Sequence, residues 1–143
     1  MYGIINVGAI DCQSEEELCE EFGMYDIPSI VIFTESFSED GEKYTGNQDW
    51  NSIANAAAKK MQSFVSIVTE QNFDSFMQRD SSKHHVLLFT EKKSTPAIIK
   101  SLSKKYLNKL LIGEVRTAEA ALVEKFKVTK FPTLLVVSDA ENY

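Results

Sequence analysis

Two cysteines seven positions apart, Cys12 and Cys19, and two adjacent histidines, His84 and His85, are the residues of this chain best equipped for chemistry. The cysteine spacing fits more than one arrangement. A disulfide would close a short loop and add roughly 2–3 kcal/mol of stability. Two unpaired, buried thiols would pack as small apolar side chains. A metal site would need both histidines as completing ligands. That arrangement fails, because neighbouring residues of a strand project to opposite faces and cannot both reach one ion. The spacing is also wrong for a catalytic pair, which calls for Cys-x-x-Cys. One histidine is expected in the core or at a strand edge, and Asp11 is expected to shape a turn. No phosphate loop and no nucleophile–histidine–aspartate arrangement is present. No metal and no cofactor is expected.

These residues sit in a chain of 143 residues and 16.1 kDa, the size of one ordinary domain. With 43% hydrophobic and 25% charged residues it can bury a core, which excludes a disordered chain. The longest apolar runs, IVIF and TLLVV, are far too short to span a membrane, and no membrane partner is expected. The opening MYGIINVGAI lacks the basic start of a signal peptide and reads as a strand. Met1 is therefore expected to be an internal boundary, with a secreted origin left open. The net charge of −6 divides unevenly. Residues 1–50 carry twelve acidic residues and one basic residue, Lys43, a net of −11; residues 51–143 carry nine acidic and fourteen basic, a net of +5. The pattern implies two differently charged solvated surfaces, with attraction between halves or between chains as the sharper consequence. Nucleic acid is not an expected partner. Lys92, Lys93, Lys100, Lys104, Lys105 and Lys109 fall mostly on helix surfaces, without interleaved aromatics, in an acidic chain.

The chain repeats itself at an offset of 104. Leu18 falls on Leu122, Glu20 on Glu124, Phe22 on Phe126 and Met24 on Val128; Ile27-Pro28 falls on Phe131-Pro132 and Ile30 on Leu134. One residue of slippage upstream places Gly8 on Gly113. The repeated unit reads as strand, short helix, apolar-Pro turn, strand. In the first copy INVGAI is the strand, Ser14 ahead of three glutamates caps the helix, and Gly23 ends it. In the second, Thr117 starts a helix that buries Leu122, Val123 and Phe126, and Thr133 to Val137 is the strand.

Between the copies, Phe37 to Gly41 reads as a hairpin turn leading to a short strand around Glu42–Tyr44. Asp49 caps a helix to about Met61 with Trp50, Ile53, Ala54, Ala57 and Met61 on one face. Residues 63–69 read as a strand and 71–79 as a helix with Phe73, Phe76 and Met77 inward. HHVLLFT at 84–90 is a central strand. Pro96 sits in the first turn of a helix to about Leu107, with Ile98, Ile99, Leu102 and Tyr106 inward. Strands separated by helices require crossovers, hence a partly parallel sheet.

The pattern helix–x–x–apolar–Pro–Ser/Thr–strand, in MYDIPSIVIF and KVTKFPTLLVV, resembles the thioredoxin fold and within it the protein disulfide isomerase family. The fold this implies is α/β, thioredoxin-like, a mixed sheet with flanking helices, built as two partial thioredoxin units. Residues 1–62 resemble the C-terminal part of one such domain. Residues 63–143 resemble the N-terminal part of a second. The stretch INVGAIDCQ with Cys19 is similar to the thioredoxin domains of endoplasmic-reticulum J-domain disulfide reductases. That resemblance favours a Cys12–Cys19 disulfide and implies an oxidising compartment, the endoplasmic reticulum lumen. It implies cis bonds at Ile27-Pro28 and Phe131-Pro132, which would leave the preceding backbone able to pair with an extended peptide.

The family's redox site lies at the amino end of the helix after the central strand, where the dipole stabilises a thiolate. Here that site falls on Ser94, Thr95, Pro96 and Ala97, without sulfur. The resemblance therefore implies a redox-inactive segment of a multidomain disulfide isomerase or co-chaperone. Its expected partners are unfolded or client polypeptides and other domains of the same parent chain. The alternative is a fragment of a catalytic oxidoreductase whose Cys-x-x-Cys precedes Met1. A glutathione-binding role for Ser94 weighs less than helix capping. Because residues 63–138 look short of an edge strand and a final helix, residues 42–61 are expected to supply them, either from the same chain as a circularly permuted domain or, the favoured reading, from a second chain as a domain-swapped homo-oligomer.

Overall fold

Apolar residues recur at strand spacing in some segments and at helix spacing in others. The computed structural model, which describes residues 4–34 and 41–137, builds its elements on those periods. The chain divides into two compact units, Met1–Met61 and Gln62–Tyr143. The first holds α1 (Glu16–Glu21), β1 (Val31–Ile32), β2 (Glu42–Lys43) and α2 (Trp50–Lys60). The second holds β3 (Ser66–Val68), α3 (Phe73–Met77), β4 (His84–Thr90), α4 (Ala97–Lys105), β5 (Leu110–Arg116), α5 (Ala120–Lys125) and β6 (Thr133–Val137).

The second unit is a four-stranded sheet in the order β3-β5-β4-β6. β3 and β4 run parallel to β5, and β6 closes one edge antiparallel to β4. Parallel pairs need crossovers, which α3 and α4 supply, while α5 links β5 to the antiparallel β6. β4 is apolar and covered on both faces, so every residue from His85 to Thr90 is buried. One face packs Val68, Phe73, Phe76, Leu87, Phe89, Val115, Leu122, Phe126 and Val137 into the larger core. The other packs Val86, Leu88 and Ile112 against Ile99 of α4. Gly113 is a close approach: a Cβ there would lie 2.6 Å from Val68 Cγ2 and 2.9 Å from both Leu87 and Phe76.

The first unit is thinner. β1 and β2 pair antiparallel over two residues each, extended by Tyr44 N–H donating to the Ile30 carbonyl at 2.8 Å. Phe22 meets Phe33 edge-on at 5.2 Å. Asp49 caps α2, its Oδ1 accepting from Ser52 N–H at 3.0 Å. These hydrogen bonds, the Ser52 side chain first, hold the Asp49 carboxyl below its ordinary value. Gly23 ends α1 with a left-handed φ of 63°.

Several expectations are corrected. Residues 5–10 form no strand, and Val7 is 92% exposed. A strand needs a partner backbone, and among the described residues none pairs with this run. Ser14 does not cap α1. Its hydroxyl goes to Asp11, and Glu15 holds the cap position. Glu119 rather than Thr117 precedes α5. Trp50, Ile98 and Tyr106 are exposed rather than inward. In α4 the inner stripe is Ile99, Leu102 and Ser103. Ser103 is buried because its hydroxyl accepts from Phe64 N–H and donates to the Lys100 carbonyl. Of the Phe37–Gly41 turn, residues 37–40 lie outside the described residues.

Candidate functional site

The carboxyl ends of β3, β4 and β5 share one end of the sheet, the end where open α/β sheets place ligands. β4 leaves that end through Glu91 to Pro96. Thr90 Oγ1 accepts from Lys92 N–H at 3.1 Å, which turns the chain towards α4. Pro96 is the residue before the helix, and its carbonyl accepts from Ile99 and Lys100 N–H. Ala97 is the first helical residue, and Ser94 stands exposed just ahead. Ser94 is not a cap, since no side chain caps α4; proline, whose φ already suits a helix start, holds that place. The four residues thus occupy the amino end of a nine-residue helix. A hydroxyl and a methyl there can neither attack nor form a disulfide.

The second Pro turn approaches the same end. Thr133, directly after Pro132, pairs with Phe89 near the end of β4. Phe131 packs on the larger core, Pro132 is exposed, and Thr133 Oγ1 donates to the Lys130 carbonyl at 2.6 Å. Register therefore brings Phe131-Pro132 and Ser94–Ala97 to one end of β4. Ile27-Pro28 occupies the corresponding turn of the first unit, with Ile27 70% exposed. Both Pro bonds are cis.

One charged pair beneath this end was not anticipated. Glu114, opposite Leu88 in the sheet, is completely buried, and neither carboxylate oxygen accepts a hydrogen bond of good geometry. Arg116 compensates the charge, with Nη2 2.8 Å from Oε1, and its Nη1 donates to the Lys92 carbonyl. The pair ties β5 to the loop that carries Ser94. A glutamate within the apolar run LLIGEVR was the available signal.

The remaining candidates lie apart from this chemistry. Cys12 and Cys19 form a disulfide with Cα atoms 5.7 Å apart, and Cys19 is buried on α1. Asp11 makes the adjoining turn, its carboxylate accepting from Gln13 N–H and its carbonyl from Ser14 and Glu15 N–H. His84 is exposed. His85 is buried, with Nε2 2.9 Å from the Arg79 carbonyl and its ring edge-on to Phe76. Among the described residues no three His, Cys, Asp or Glu side chains gather as a metal site. No described helix is long and apolar enough to cross a membrane.

This architecture can be compared with known proteins. A model of a thioredoxin-like domain matches residues 9–143. The chain belongs to the thioredoxin-like family. It is 32% identical, over 146 aligned positions, to a Dictyostelium discoideum protein named as a protein disulfide-isomerase, covering 98% of this chain and 35% of that one. It is 25% identical to the DnaJ protein ERDJ3A of Oryza sativa subsp. japonica, over 93% of this chain and 24% of that protein. The thioredoxin-like chain therefore spans about a third or less of these relatives. A crystal structure of ERdj5 superimposes with a TM-score of 0.65 at 22% identity, over 96% of this chain and 20% of that one, which bears on the fold alone. The expected thioredoxin-like fold and the relationship to disulfide isomerases are both correct.

Proposed function

We propose that this chain is a redox-inactive thioredoxin-like segment of a multidomain disulfide isomerase or co-chaperone, binding unfolded or partner polypeptides in the endoplasmic reticulum lumen. In this reading residues 1–62 are the C-terminal part of one thioredoxin-like domain and residues 63–143 the N-terminal part of the next. The observation that carries it is the sulfur-free sequence Ser94-Thr95-Pro96-Ala97 at the amino end of α4. The chain's two cysteines are bridged to each other elsewhere, which also suits an oxidising compartment. Peptide binding is supported by the exposed Ser94 and Pro132 at the carboxyl end of β4, where an extended chain has access.

A fluorescently labelled, carboxymethylated unfolded polypeptide tests this by anisotropy. Weak saturable binding is expected, with Kd on the order of 10–100 μM. Ser94→Arg should weaken it several-fold. No saturable binding, or binding indifferent to Ser94→Arg, contradicts the assignment. A second reading draws on the relative named as a disulfide isomerase, of which this chain covers 35%. There the chain is part of a catalytic enzyme whose Cys-x-x-Cys lies upstream of Met1, and the full open reading frame distinguishes the two.

A further inference from the structure

Residues 63–69, SFVSIVT, carry no charge, no proline and no glycine, and four of the seven are Phe, Val or Ile. Such a segment is a hazard at the edge of a sheet, where unpaired N–H and C=O groups can template a strand from another chain. β3, built from it, lies at an edge. It is the first strand of the order β3-β5-β4-β6 and, among the described residues, pairs with β5 alone. Ile67 is 48% exposed. The segment holds neither lysine nor proline, the residues that commonly blunt such an edge. Its short span, Ser66–Val68, is one protection.

A side chain supplies a second. Asn72 stands in the capping position of α3, and asparagine caps helices well, yet its side chain makes no capping hydrogen bond. It turns back onto β3 instead. Asn72 Oδ1 accepts from Thr69 N–H at 2.9 Å, and Nδ2 donates to the Ile67 carbonyl at 3.0 Å. Backbone groups of alternate strand residues point to opposite sides, so a carbonyl and an N–H two residues apart are what one residue of an added strand would engage. One carboxamide provides both the donor and the acceptor of that residue. The loop that carries it is pinned to the start of α5. Glu70 N–H donates to Glu119 Oε2 at 2.8 Å, and Glu70 Oε1 accepts from Ala121 N–H at 2.9 Å. Arg79, just past α3, donates to the Ser66 hydroxyl at 3.0 Å and sets a charge beside the same strand.

We propose that Asn72 guards the β3 edge: its carboxamide stands in for a neighbouring strand and keeps a second copy of this chain from pairing there, β3 to β3. A second copy is the strand to be excluded because it offers the same uncharged apolar segment. Two such edges paired antiparallel would also close on themselves as a two-fold dimer. Service to α3 does not account for the side chain, since its oxygen accepts from Thr69, ahead of the helix, and from no N–H group of α3.

Residue-resolved hydrogen exchange of the Thr69 amide in the full chain, at about 50 μM and about 1 mM, with sedimentation equilibrium on the same samples, tests the proposal. Wild type should exchange Thr69 slowly and at the same rate at both concentrations. Asn72→Ser keeps a residue that caps well but is too short to meet both backbone groups. It should speed Thr69 exchange at least about tenfold at the low concentration. At the high concentration it should associate more than wild type, with Kd on the order of 100 μM, and Thr69 should regain protection. Asn72→Asp keeps the acceptor for Thr69 and puts a charge on the edge, so it should associate no more than wild type. Far-UV circular dichroism checks that both variants fold. Asn72→Ser that exchanges Thr69 or associates as wild type does overturns the proposal, as does association that leaves Thr69 unprotected or that Asn72→Asp shows equally. Protection of Thr69 that rises with concentration in the wild type overturns it without any variant.

Discussion

The two copies of the repeat share a sequence pattern and differ in what surrounds them. In the second copy Leu122 and Phe126 are buried, and Gly113 is pressed between Val68, Leu87 and Phe76. In the first, Leu18 and Phe22 are only half-buried, and a Cβ on Gly8 would meet nothing within 4 Å. The apolar run that becomes β5 in one copy has no partner strand among the described residues in the other. A strand is a property of a pair, so equal local propensity yields β5 where β3 and β4 flank it and an exposed segment where no described strand does. Among the described residues of the first unit only Cys19 is buried, and a disulfide supplies what packing does not.

The largest effect should come from the charge inside the well-packed unit. Arg116→Ala leaves Glu114 buried without its counter-ion and should cost about 3 kcal/mol, read by urea denaturation. Glu114→Leu with Arg116→Leu should be far milder, because no charge is then stranded. Cys19→Ala should lower the stability of residues 4–34 by roughly 2–3 kcal/mol while leaving the sheet of the second unit unchanged. Segment-resolved hydrogen exchange separates the two. Intact mass without reductant should be two hydrogens below the reduced value.

The two glycines give a direct internal control. Gly113→Ala should cost roughly 1–3 kcal/mol through overpacking, and Gly8→Ala should cost almost nothing. Equal effects would mean that the copies are packed alike. The smallest effect concerns the cap of α2. The folded carboxyl of Asp49 is held below its ordinary value by Ser52, so its contribution is complete above the ordinary carboxylate range. That contribution fades as pH falls through the lowered folded value. Asp49→Asn should flatten this part of the acid titration of helical circular dichroism.

Much of the second unit was legible because its signals were local. HHVLLFT and TLLVV each specify their element from composition and neighbours alone, as the Asp49 cap does for α2 in the first unit. What was not legible depended on partners distant in sequence. Ser103 is buried because its hydroxyl meets Phe64 N–H, Trp50 is exposed on an α2 that buries no residue, and residues 5–10 have no pairing strand among the described residues. At the candidate site, Ser94–Ala97 followed from counting beyond LLFT. The Glu114–Arg116 pair beneath it did not, since an ion pair within one strand leaves no periodic trace.

The central claim of the proposed function is that Ser94–Ala97 stand where a thioredoxin would carry its redox site, without the sulfur it needs, and insulin reduction with dithiothreitol as the electron source tests it most directly. The account predicts a turbidity time course indistinguishable from the uncatalysed control, because position 94 offers a hydroxyl and position 97 a methyl. Acceleration that scales with the concentration of this chain would contradict it.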